Sequence, residues 1–110
     1  MIMSGIRQRT KRANLPPTQI TMQWVERQIE KGVCAATGIP FELADGIGPE
    51  KVNPYTPSAD RIDPRKGYTY RNTQIVIWAY NRAKGEYADR TFKFVASSYL
   101  EQEGYTVEEP

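Results

Sequence analysis

The chain of 110 residues predicts an α+β fold, a small single domain with a strand–strand–helix unit at its centre and a helix on either side. Two observations carry that prediction. Between residues 58 and 84, short runs rich in Tyr, Thr, Ile and Val surround the turn formers Pro64 and Gly67, then pass into a helical pattern. Before and after this stretch, apolar residues recur at helical spacing in segments that end on glycine. The length suits one modest core and is too short for two.

Each element follows from its residues. Residues 1–17 are polar and basic and close on Pro16-Pro17, which reads as a flexible arm. Thr21 can cap a helix over residues 22–31, where Met22, Val25 and Ile29 share one face and Gly32 supplies a left-handed stop. Residues 34–41 leave that helix as a short strand and turn. Gly46, Gly48, Pro49 and Pro54 make residues 44–57 a loop. Residues 58–62 form the first strand of a hairpin, and residues 68–76 run back along it. The change from strand to helix falls within residues 73–78, and pattern alone does not fix where. A helix over about residues 77–84 stops at Gly85. Asp89 then caps a last helix, with apolar face Phe92, Val95, Ala96, Tyr99 and Leu100 and terminator Gly104. The folded domain is expected over residues 18–104, followed by an acidic tail at 105–110.

The net charge of +2 is small, but its distribution is uneven. Arg7, Arg9, Lys11 and Arg12 sit in the first fourteen residues with no acid. Arg61, Arg65, Lys66, Arg71, Arg82 and Lys84 oppose only Asp60 and Asp63 in the centre. Glu101, Glu103, Glu108 and Glu109 end the chain with no base. A basic arm and centre suit a polyanionic partner, with the acidic tail pointed elsewhere. The lone Cys34 excludes an intramolecular disulfide and a cysteine-based zinc knuckle; it reads as a buried, apolar-like thiol in a reducing cytosol. No apolar run approaches membrane-helix length and no signal core follows the basic start, so a cytoplasmic location with no membrane partner is expected.

The central stretch carries the chemistry. Asp60-Arg61 ends the first strand, a Gly67-Tyr68 turn and Asn72 follow, and Asn81 and Lys84 lie in the helical segment. The intervals are eleven residues from Arg61 to Asn72 and nine from Asn72 to Asn81. This order resembles the ββα-metal core of the HNH, or His-Me finger, endonucleases, and of their phage-type members in particular. The likeness extends over roughly residues 21–99, including the segments at 34–41 and 53–63.

The resemblance implies a metal-dependent DNA endonuclease or nickase, located in the host cytoplasm if phage-encoded. Asp60 and Asn81 would hold one divalent cation. Their all-oxygen donor set favours Mg2+ or Mn2+ over zinc. Asn72 would pin the loop that aims the strand residue. Arg7, Arg9, Lys11, Arg12, Arg61, Lys66, Arg71, Arg82 and Lys84 would meet DNA phosphates. Trp78 and Tyr80 read as packing residues more than as base stackers.

Arg61 stands where the family has its catalytic histidine, and the chain contains no histidine. Arginine stays protonated and has no acceptor, so it cannot take a proton from water. Asp60, Arg61, Asn72 and Asn81 are the candidate catalytic set, and three outcomes are open. Another group such as Asp63, or bulk water, takes the proton while Arg61 clamps the phosphate. The site binds DNA without cutting it. Or the fold serves a structural or regulatory role.

Overall fold

The computed structural model describes residues 2–44 and 52–108. Among them the order is α1 (Ile2–Arg12), α2 (Met22–Glu30), β1 (Pro57–Arg61), β2 (Thr73–Ile77), α3 (Trp78–Lys84) and α4 (Asp89–Gln102). The two strands form one antiparallel sheet, so the fold is α+β. The expected loop around Gly46, Gly48 and Pro49, and the last two residues of the acidic tail, lie outside the described residues.

The hairpin divides the interior. Its register pairs Ala59 with Ile75 and Asp60 with Gln74, so side chains alternate between two faces. Ala59 and Ile75 face the main core of Met3, Ile6, Ile20, Val25 and Tyr68, which joins α1 and α2 to the sheet. Val76 and Ile77 belong to a second, smaller cluster with Cys34, against which Ala79 and Tyr80 pack. Cys34 is buried there as a free thiol.

β2 is shorter than the expected run from residue 68, because residues 62–72 fold as a structured loop held by Asn72. The change to helix falls between Ile77 and Trp78. No side chain caps α3; instead the orphan N–H groups of Trp78 and Ala79 donate to the carbonyls of Thr56 and Pro54, each at 2.8 Å. That pair of hydrogen bonds to the segment before β1 fixes where α3 begins.

α2 matches its sequence signals. Thr21 Oγ1 accepts from the Trp24 N–H at 3.1 Å, and Gly32 follows the helix with φ of 84°. Gly85 and Gly104 likewise take positive φ after α3 and α4.

The flexible arm expected at residues 1–17 is corrected. Residues 2–12 are helical, and Met3, Ile6 and Thr10, at i, i+3 and i+7, are buried in the body. Thr10 bonds back to the Ile6 carbonyl at 2.7 Å. The arginines and lysine that suggested an arm occupy the other faces of this helix. α4 also departs from expectation. Asp89 is its first residue and not its cap, and of its expected apolar face only Phe92 and Ala96 are half-buried.

Ile6 has no solvent exposure, so Ile6→Ala should cost about 2–5 kcal/mol, the usual loss for an aliphatic core residue. Urea unfolding of the full chain measures it. A loss near zero would return residues 1–17 to the status of a solvated arm.

Candidate functional site

Asp60, next to last in β1, lies on the face turned toward α3, and α3 crosses back over that strand. Two consequences follow from this crossing. Asn81 reaches β1, donating through Nδ2 to Ser58 Oγ at 2.8 Å and to the Ala59 carbonyl at 2.9 Å. Both amide hydrogens are thus used, which leaves Oδ1 as the acceptor that Asn81 can offer. One turn later, Lys84 points inward.

Lys84 is 1% exposed and forms the centre of a buried polar network. Its ammonium donates to Asp60 Oδ2 at 2.7 Å, to the Arg61 carbonyl at 2.6 Å and to Asp89 Oδ1 at 2.5 Å. Gln74 Nε2 bridges the same two carboxylates at 2.9 Å each, and Tyr80 donates to Asp89 Oδ1 at 3.1 Å. The cross-strand register explains Gln74, which sits directly opposite Asp60. Burial pushes the Asp60 carboxyl above its usual 3.8, while hydrogen bonds from Lys84 and Gln74 pull the other way. Burial and then the neighbouring Asp89 charge push the Tyr80 phenol up, so it remains a donor.

Lys84 as a phosphate contact is therefore corrected: its ammonium is sealed inside and fully used by protein acceptors. Asp89 as a helix cap is corrected for the same reason, since its carboxylate turns inward to Lys84.

Asn72 occupies the pinning position. Its Oδ1 accepts from the Asp63 N–H at 2.9 Å, and its Nδ2 donates to the carbonyls of Asp63 and Gly67 at 3.0 and 2.9 Å. It is a positioning residue, buried beneath the hairpin loop. Asp63, considered as a proton acceptor, is bound by Arg65, whose hydrogen bonds hold its carboxyl down at about 2. A carboxylate that acidic is a poor base near neutrality.

The open part of the site is a cavity of about 160 Å³, lined by Arg9, Asp60, Arg61, Tyr68, Asn81 and Glu86 among others. Asp60 and Asn81 thus converge on one space. The Arg9 and Arg61 guanidiniums lie over the Tyr68 ring, at 5.4 and 5.2 Å from its centroid. Arg9 Nε also donates to Tyr68 Oη. A neighbouring cavity of about 320 Å³ shares Arg9 and Asn81 and adds Trp78 and Arg82, whose guanidinium stands 5.7 Å from the indole centroid. Arg9, Arg61 and Arg82 therefore line two cavities that share Arg9, the first of which Glu86 also borders.

The other expected DNA contacts lie apart. Arg7 and Lys11 border a separate cavity with Leu15 and Thr18, Arg12 is exposed at the end of α1, and Lys66 and Arg71 are exposed on the hairpin loop. Sequence reasoning singled out Arg9 only as one charge of an arm and gave no role to Gln74 or Tyr68. The helical period of Met3, Ile6 and Thr10 was the available signal for Arg9.

Asp60 and Asn81 are hard oxygen donors of the type Mg2+ or Mn2+ accepts, and Mg2+ commonly binds through one or two protein groups while keeping its waters. The set is minimal. Asp60 Oδ2 is already engaged by Lys84 and Gln74, so a cation would share this carboxylate with an ammonium. No group of three or more His, Cys, Asp or Glu side chains is clustered among the described residues. Nor is any helix among them long and apolar enough to cross a membrane. No family model, curated protein or solved structure matches this chain.

Removing Lys84 leaves two carboxylates facing each other in a buried space. Lys84→Met should cost about 3–5 kcal/mol at neutral pH in chemical denaturation. Asp60 has a folded pKa above 3.8, so in the interval above that value unfolding releases its proton and stability falls as pH rises. Without Lys84 this effect grows. The deficit of the variant against wild type should therefore shrink as pH is lowered toward 3.8. A deficit independent of pH would show that Lys84 acts by packing alone.

Proposed function

We propose that this protein is a ββα nuclease-type DNA-binding domain of HNH character, acting as a metal-dependent endonuclease or nickase with an atypical active site. The observation that carries the reading is the convergence of Asp60 and Asn81, from β1 and α3, on one cavity rimmed by Arg9 and Arg61. Asn72 in the pinning position adds to it.

The residues divide the work as follows. Asp60 and Asn81 would hold Mg2+ or Mn2+, which when bound supplies charge neutralisation at the scissile phosphate and its leaving oxygen. Arg61 contributes charge and a planar fork suited to two phosphate oxygens. Its own geometry is set on both sides. The main chain is held by Lys84 at the Arg61 carbonyl, and the guanidinium rests on Tyr68. Arg9 and Arg82 extend the positive surface along the phosphate backbone, binding by counterion release without reading bases. Lys84 holds Asp60 in place and takes no part in phosphate binding.

A second reading is a non-catalytic phosphate-backbone binder, proposed on a specific observation. The Lys84 ammonium already neutralises Asp60, Asp63 is committed to Arg65, and Arg61 cannot accept a proton.

Incubation with supercoiled plasmid and Mg2+ or Mn2+, with a chelator control, separates the two. Nicked circles that the chelator suppresses support the nuclease. Intact plasmid in every lane, with DNA still retained in a gel-shift assay, supports the binder. In either case Arg9→Ala combined with Arg61→Ala should flatten the slope of log K against log salt by up to about 2 units. An unchanged slope would remove this cavity from the DNA contact.

A further inference from the structure

The cavity on which Asp60 and Asn81 converge has one more carboxylate on its wall. Glu86 borders it together with Arg9, Arg61 and Gly85. The other acids around the site are committed to partners. Asp60 Oδ2 and Asp89 Oδ1 take the Lys84 ammonium, Gln74 bridges the same two side chains, and Asp63 is held by Arg65. Among the described residues no hydrogen bond or ion pair engages the Glu86 carboxylate.

The backbone brings Glu86 to this wall. α3 ends at Lys84, whose buried ammonium anchors the end of the helix. Gly85 then turns the chain at φ of 60°, a left-handed value that suits glycine, while its N–H donates to the Asn81 carbonyl at 3.0 Å. Beyond Glu86, the Tyr87 N–H donates to the Lys84 carbonyl at 3.3 Å and the Asp89 N–H to the Ile62 carbonyl at 3.1 Å. The main chain at Glu86 is therefore tied on both sides. Glu86 itself is exposed. A proton acceptor needs this arrangement, with the reacting space on one side and water that carries the proton away on the other.

We propose that Glu86 is the general base of this site, an inference that rests on the nuclease reading above. A water in the cavity gives a proton to the Glu86 carboxylate as its oxygen bonds to phosphorus. The bond from phosphorus to the leaving oxygen breaks, and that oxygen keeps the electron pair and takes a proton from solvent. Glu86 then returns its own proton to solvent, so the net change is one water added across the phosphodiester. A carboxylate has the acceptor lone pairs that a guanidinium such as Arg61 lacks. Its negative charge also works against a polyanion at a cavity lined by Arg9 and Arg61. A base and a solvated bystander at this position therefore respond differently to loss of the charge.

Glu86→Gln in the full chain separates them, because glutamine keeps the size and removes the charge. Three quantities are measured: single-turnover nicking of supercoiled plasmid with Mn2+, Mn2+ binding by electron paramagnetic resonance, and DNA retention in a gel-shift assay. The expected result is nicking slowed by about 100- to 10,000-fold, the usual contribution of a general base, with Mn2+ affinity unchanged and DNA held as tightly or more tightly. Glu86→Asp, which keeps a carboxylate, should nick faster than Glu86→Gln. Equal nicking by wild type and Glu86→Gln overturns the inference and leaves the nuclease reading standing. Slower nicking with a matching loss of Mn2+ affinity also overturns it, since Glu86 would then be a ligand. A wild type that nicks no plasmid ends the nuclease reading, and this inference with it.

Discussion

A lysine ammonium cut off from water needs protein acceptors for its three protons, and Lys84 finds all three: Asp60 Oδ2, the Arg61 carbonyl and Asp89 Oδ1. These belong to the end of β1 and the start of α4, while Lys84 itself closes α3. One cation therefore ties three elements together at a single point. Taking the charges out of water carries a desolvation cost of several kcal/mol per ion, which only full hydrogen bonding offsets. Gln74 and Tyr80 supply the remaining bonds to the carboxylates. A half-made network would be worse than an apolar one, so the register of β1 against β2 and the start of α4 are fixed together.

The same clamp shapes the candidate site. Because Lys84 holds the Arg61 main chain and the Asp60 carboxylate, both side chains emerge at the cavity floor in a set orientation. Asn81 reaches the same strand three residues earlier on α3, so Ser58, Ala59, Asp60 and Arg61 are all gripped from one helix. Asn72 does the equivalent work on the loop beyond. The residues proposed to meet phosphate are held in place, whereas the two groups considered for proton transfer are not suited to it. Asp63 is committed to Arg65, and Arg61 cannot accept. That contrast is why a metal-dependent nuclease and a backbone-binding module are both proposed from one geometry.

Much of this was legible in the sequence, and the exceptions have physical causes. Thr21 and Gly32 marked the ends of α2 because capping chemistry is local. The hairpin and α3 were legible from β-favouring residues, turn formers and the glycine at 85. The pairing of Asp60 and Asn81 came from the resemblance to the ββα-metal core. Residues 2–12 were misread because a net charge of +4 masked the stripe of Met3, Ile6 and Thr10. Lys84 was misread because nothing local distinguishes a buried lysine from a solvated one; its partner Asp60 lies twenty-four residues away. Asp89 shows the converse case. An acid before an apolar run has the pattern of a cap, and a tertiary partner took the carboxylate instead.

The central claim is that the Lys84 ammonium is sealed within the Asp60–Asp89 pair and organises the site. Heteronuclear NMR of the lysine side-chain nitrogens at neutral pH tests it most directly. The account predicts one ammonium whose protons exchange slowly with water, with close contacts to the Asp60 and Asp89 side chains. Addition of Mg2+ should leave that signal in place. Rapid exchange for every lysine, or a Lys84 signal indistinguishable from those of exposed lysines, would contradict the account.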